Sequence, residues 1–277
     1  MNQKGHRCSW AAAWACAALL TLSATGRAQD RVDSLPSGVT GTNEAFDAAQ
    51  SDAVNRYIRG WADRLLVPDD PEAVAEARAK LLEPLNLPGA TGSFKDQYSA
   101  ELITGIRAGA TSESLAVRLN TMILIARSTG AYGLDLAGGA LRDASPAVRY
   151  WAARAVADAI DGGPNQPSVS HAEQRQLHQR LSAAVAAEST CEIREQLYRA
   201  LAAMQIPAAR QTVSEALMER TDFYARRGVG ACLRAEKTGM NKLYSRIISE
   251  YVQVQDDPRR ADRARALRQQ LRRLSII

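Results

Sequence analysis

Histidine is scarce in this 277-residue chain: there are three, and only His171 and His178 lie beyond the first few residues. Seven residues apart on a helix is about 10.5 Å of rise. One metal ion, with ligand nitrogens near 2 Å, cannot take both. Aromatic residues are only 5 % of the sequence, and β-branched runs are few. That composition disfavours a sheet and suits stacked helices. The four cysteines, two of them near the start, do not make a disulfide scaffold. No Cys-x-x-Cys, His-Glu-x-x-His, Gly-x-Ser-x-Gly or phosphate loop occurs. Gly228-x-Gly230 falls in an expected helix rather than after a strand, so it is not a dinucleotide turn. No catalytic, cofactor-binding or metal-binding residues are therefore expected.

The longest apolar run, Trp10 to Leu22, is about two-thirds of the roughly 20 residues that a spanning helix needs. With Lys4 and Arg7 before it and Gly26-Arg27-Ala28 after it, residues 1–28 read as a secretory signal cleaved near Ala28. The expected location is periplasmic or secreted. The net charge of +5 then shrinks, because 1–28 carries three basic residues and no acid. A remainder of +2 gives no reason to expect a nucleic-acid partner.

Residues 29–42 are polar and rich in Gly, Ser and Pro, and read as a flexible lead-in. A helix is expected from Asn43 to Pro68 and another from Asp70-Pro71 to Glu83. These form an N-terminal helical cap over 43–92. A third helix begins near Ser93.

The clearest stretch is Asp143 to Ile160. Ser145 and Pro146 are a helix start. Val148, Trp151, Ala152, Ala155, Val156, Ala159 and Ile160 follow as one apolar stripe. The Val148-Arg149 pair has counterparts at Val117-Arg118, Ile193-Arg194 and Ala225-Arg226, followed by apolar residues at comparable offsets except at the last position of two frames, Ser128 and Glu236. The first frame can also be read through Leu115, Leu119, Met122, Ile123 and Ala126. Candidate partner helices precede the anchors: Phe94–Gly109, Leu134–Leu141, His171–Ala187 with a Ser170/Glu173 capping box, and Pro207–Glu219. Ser189 and Glu192 are a further capping-box candidate. Residues 161–170 read as an inserted loop.

Over 111–238 the chain resembles HEAT-type (HEAT/armadillo-like) repeats, most sharply at Asp143, Pro146 and Val148-Arg149. The resemblance implies an all-α, right-handed α-α superhelix, with repeats over 93–238 and capping helices over 239–277. It also implies non-catalytic protein binding, and bonds between neighbouring repeats from an Asp before the second helix and an Arg within it. Asp143 and Arg149 match, as do Arg118, Arg194 and Arg226 at the Arg position. Ser112, Glu188 and Arg220 stand where the Asp would be. The alternative is an irregular all-α domain. With the repeats in register, Cys191 and Cys232 sit nine residues apart along their helices, about 13 Å. A disulfide needs Cα atoms about 4.4–6.8 Å apart, so two free thiols are expected, with Cys232 buried.

The segment 259–273 holds Arg259, Arg260, Arg263, Arg265, Arg268, Arg272 and Arg273 against a single acid, Asp262. It reads either as an end cap whose leucines dock while the arginines stay wet, or as a contact for an anionic membrane surface or envelope polymer. The expected function is a scaffold for a protein partner. Surface attachment through the Arg-rich end is the alternative, and an enzyme with a dispersed site is a third reading.

Overall fold

The computed structural model describes residues 34–67, 70–162, 169–227 and 232–274. The expected export signal, 1–28, and Gly228-x-Gly230 lie outside the described residues, as does the middle of the 161–170 loop. Among the described residues there are eleven α-helices and no strand.

Helices α1, α2, α3 and α7 start where a side chain supplies their first free N–H groups with an acceptor. In α1 (Ala48–Leu65) Asp47 accepts from Gln50 N–H, and the Gln50 side chain accepts from Asp47 N–H. The start lies five residues beyond Asn43 because residues 39–46 are held elsewhere. Val39 is buried, Thr91 N–H donates to Thr40 O (3.0 Å), and Gln97 takes Phe46 N–H (2.7 Å). The lead-in is thus pinned rather than free from Val39 onward. In α2 (Pro71–Leu82) Asp70 caps two N–H groups and Pro71 occupies the first turn. Thr91 caps α3 (Gly92–Ile106). Then follow α4 (Leu115–Arg127), α5 (Leu134–Ala140), α6 (Pro146–Asp161) and α7 (His171–Ala187), the last with both bonds of the Ser170/Glu173 box. The chain ends with α8 (Cys191–Ala203), α9 (Pro207–Arg227), α10 (Leu233–Val254) and α11 (Ala261–Leu274). No Ser189/Glu192 box forms, since α8 starts from Thr190 without a side-chain cap.

The even-numbered helices form one continuous row: α2 packs on α4, α4 on α6, α6 on α8 and α8 on α10. Helices α1, α5, α7 and α9 each lie beside their even partner. The apolar stripe explains the row. Val148, Ala152 and Val156 of α6 are fully buried, as are Leu197, Ala200 and Leu201 of α8. In α4 the buried set runs through Val117, Thr121 and Leu124, while Leu115 is exposed, so the Val117 frame is the one used. Gly239 lets α10 come close to α8. A Cβ there would sit 2.8 Å from Tyr198 Cβ, and Tyr198 is itself buried.

The last unit departs from expectation. Helix α9 does not stop at Glu219; it continues to Arg227, so Ala225-Arg226 lies in the first helix of that unit and not the second. The second helix is α10, and its third residue, Ala235, takes the place of Val117, Val148 and Ile193. This shift overturns the expectation of two free thiols. Cys191 is the first residue of α8 and Cys232 the N-cap of α10, so both stand at the same end of neighbouring helices. Their Cα atoms are 4.8 Å apart and the sulfurs are bonded. Cys232 is buried as expected. The nine-residue offset was a consequence of anchoring the frame on the wrong helix.

The cystine closes a separation of 41 residues. Loop-closure entropy assigns such a bridge about 4 kcal/mol as an upper figure, with measured values of about 2–4 kcal/mol. Peptide mapping without reductant is expected to recover Cys191 linked to Cys232. Reduction, or Cys232→Ser, should lower the unfolding free energy by about 2–4 kcal/mol in urea titrations.

Candidate interaction surface

One arrangement recurs along the even row. Arg118, Arg149 and Arg194 each occupy the fourth position of their helix. Each turns back to the carbonyls just before its own helix and reaches forward to an acid of the next unit. Arg118 donates to Ser112 O (2.8 Å) and Glu113 O (2.9 Å), and its Nε donates to Asp143 Oδ2 (2.8 Å). Arg149 donates to Asp143 O (2.9 Å) and Ala144 O (3.2 Å), and its Nε donates to Glu188 Oε2 (2.8 Å). Arg194 donates to Glu188 O, and its Nη1 lies 3.5 Å from Glu236 Oε1.

The acids work in both directions. Asp143 Oδ1 accepts from Ser145 N–H (2.8 Å), and Glu188 Oε1 accepts from Ser189 N–H (3.0 Å) and Thr190 N–H (2.8 Å). Ser145 is the backbone N-cap of α6, but its hydroxyl makes no capping bond, because Asp143 takes that duty. Ser112 does the same with its hydroxyl for Ser114 N–H (3.2 Å). Asp143 and Glu188, six residues ahead of Arg149 and Arg194, therefore each hold N–H groups at a helix start and bridge to the preceding even helix at once, while Ser112 does only the first. Glu188 fills the Asp position because its longer side chain still reaches the same donors.

The last rung has reversed sign. The fourth position of α10 is Glu236, buried between Arg194 and Arg220, whose Nε also lies 3.5 Å away. The sequence frame put Arg220 at the acid position and Arg226 at the Arg position. The structure places both on α9, with Arg226 exposed. Glu236 is the residue that the misplaced frame hid. The α2–α4 junction uses a neutral version: Arg78 donates to Asn120 Oδ1 (2.7 Å).

A second polar line crosses the same helices further along. Arg199 of α8 meets Asp158 (2.6 Å) and Asp161 (3.2 Å) of α6, and Lys242 of α10 also reaches Asp161. Burial would raise the Asp161 carboxyl, but the Lys242 and Arg199 cations outweigh it and hold it below its ordinary value. Beside this line stands Trp151. It is only partly buried, with the Arg154 guanidinium 5.0 Å and the Arg127 guanidinium 5.9 Å from its ring. Tyr150 meets it edge-on at 5.7 Å.

The Arg-rich end is docked along one face. Ala264 and Leu267 of α11 are buried, and α11 packs on α10. Arg263 donates to Glu250 (2.8 Å), and Arg268 lies over the Tyr251 ring (5.5 Å). Arg260 pairs with Asp257 (3.3 Å) and Arg265 with Asp262. Arg259 and Arg272 are exposed, and the Arg273 side chain lies outside the described set. His178 Nε2 bonds Thr212 Oγ1 (3.0 Å), and His171 is exposed at the start of α7. Among the described residues, no group of three or more His, Cys, Asp or Glu is placed to hold a metal.

Glu188 gives the sharpest test. Burial would raise its pKa, but the bonds from Arg149 and Thr190 prevail and lower it from its ordinary value. A carboxyl lowered in the folded state stabilises fully above its unfolded value, near 4.3, and loses that contribution as pH falls through the folded value. Glu188→Gln strands the Arg149 charge at a mostly buried site and should cost about 2–4 kcal/mol at pH 7. The gap between wild type and variant should narrow below about pH 4 in paired denaturation curves. No protein-family model matches this chain and no curated protein matches it, so the meaning of this surface rests on its geometry.

Proposed function

We propose that the chain is an exported, non-catalytic scaffold: a HEAT-type, right-handed α-α superhelix that presents its row of second helices to a protein partner. The observation that carries this reading is the arginine bridge, made three times between consecutive even helices. A device that recurs at three successive junctions is what a quasi-linear stack needs, because each unit meets only its neighbours. Export rests on the lead segment 1–28, and partner identity is open to experiment.

The contact residues follow from exposure. Arg118, Arg149 and Arg194 spend their donors on the stack, which makes them structural. Trp151, Tyr150, Arg127 and Arg154 are the residue types that dominate binding energy at interfaces, and they stand together on the row. The surface-attachment reading is weaker, since Arg263 and Arg268 are engaged with α10.

A photo-crosslinking amino acid at Tyr150 or Arg154, in the chain expressed in its own cell, is expected to trap one discrete protein in the envelope fraction. The same probe at Arg59, exposed on α1, should trap none. Adducts of equal pattern from all three positions, or none from any, would overturn the reading.

A further inference from the structure

A cleft of about 790 Å³ lies between α7, the start of α9, α10 and α11. Its charged lining is lopsided. Arg175, Arg210 and Arg263 face it against one carboxylate, Glu250. Arg210 and Arg263 both pair with Glu250, so that single acid is shared by two guanidinium groups. Arg175 is exposed and makes no ion pair or hydrogen bond among the described residues. The site therefore carries two positive charges more than it can neutralise.

Three further features point the same way. The Nε–H of Arg210 is buried without a protein acceptor. Gln270 Oε1, also on the lining, is buried and unpaired, and turning the amide over would offer a donor in its place. The N-terminal end of the 21-residue helix α9 opens here at Pro207 and Ala208, adding the positive end of its dipole. Pro207, Ala208 and Ala266 supply a small apolar wall.

We propose that this cleft binds a small organic dianion, a phosphate monoester or dicarboxylate with a short apolar body. Its oxygens would meet the exposed guanidinium groups of Arg175 and Arg263, with the buried Arg210 cation adding its charge from the lining, and the body would lie on the Pro207–Ala208–Ala266 wall. The charge surplus sets the dianion, and the size of the cleft is in the range of small-molecule sites. The unpaired, buried Arg210 donor distinguishes it from an ordinary solvated basic patch. This site lies apart from the Trp151 surface and stands independently of the scaffold reading.

Isothermal titration of the full chain with phenyl phosphate and with phthalate separates the two ligand sources, with phenol and benzamidine as neutral and cationic controls. Saturable binding of at least one dianion is expected, and neither control should bind comparably. Arg175→Glu should weaken it about tenfold or more, because a like charge then faces the ligand. Ala208→Glu, at an exposed position where an acid suits the helix start, should do the same. Arg142→Glu makes the same charge change outside the cleft and should stay within about twofold at physiological ionic strength. Absence of saturable binding by either dianion, equal binding of phenol, or an equal loss in Arg142→Glu would overturn the proposal.

Discussion

An arginine four residues into a helix is the contact on which this architecture depends. Its guanidinium has donors enough for two jobs, and here it does both. It satisfies the carbonyls of its own lead-in and fastens that lead-in to the acid of the next unit. The acid in turn caps the next helix. Axial spacing and helix start are therefore determined together. A slip of one helix against its neighbour would strand a mostly buried charge and uncap a helix in the same movement.

This coupling also explains why the apolar layer can be built of small residues. Ala152, Ala200 and Gly239 bring the even helices close, but small side chains specify register poorly. The polar bridges at one end and the Asp158–Arg199–Asp161–Lys242 line along the same helices supply the missing specificity. Directional bonds fix position where bulk would otherwise have done so. Trp151 was expected to be core bulk. It lies partly exposed between two guanidinium groups because α6 needs no large residue to hold its neighbours apart.

Legibility in the sequence varied with local signals. Helix α7 could be read to the residue, with the Ser170/Glu173 capping box marking its start. Helix α6 was equally plain from its proline and its stripe. The α9–α10 boundary was not. Ala225-Arg226 imitates the Ala/Val-Arg pair inside a helix that simply runs on, and the true second helix carries Glu236 where its siblings carry Arg. Reversal of charge at an otherwise repeated position defeats a search by likeness. The same frame separates Cys191 from Cys232 by two and a half turns, although both stand at the same end of adjacent helices. The basic cleft was illegible for another reason: its residues come from four helices, and no spacing along the chain brings them together.

The cystine has a consequence for how the molecule comes apart. In a row where each helix touches only its neighbours, fraying from the terminal end is the easy route, one layer at a time. Helix α11 lies beyond the cystine and can still peel from α10, but the bond between the starts of α10 and α8 keeps α10 tethered once it has gone. Opening of α10 then leaves a loop still closed on α8, which limits the conformational entropy that the opened chain gains. While the bond is intact, unzipping that has passed α11 meets its first covalent stop there.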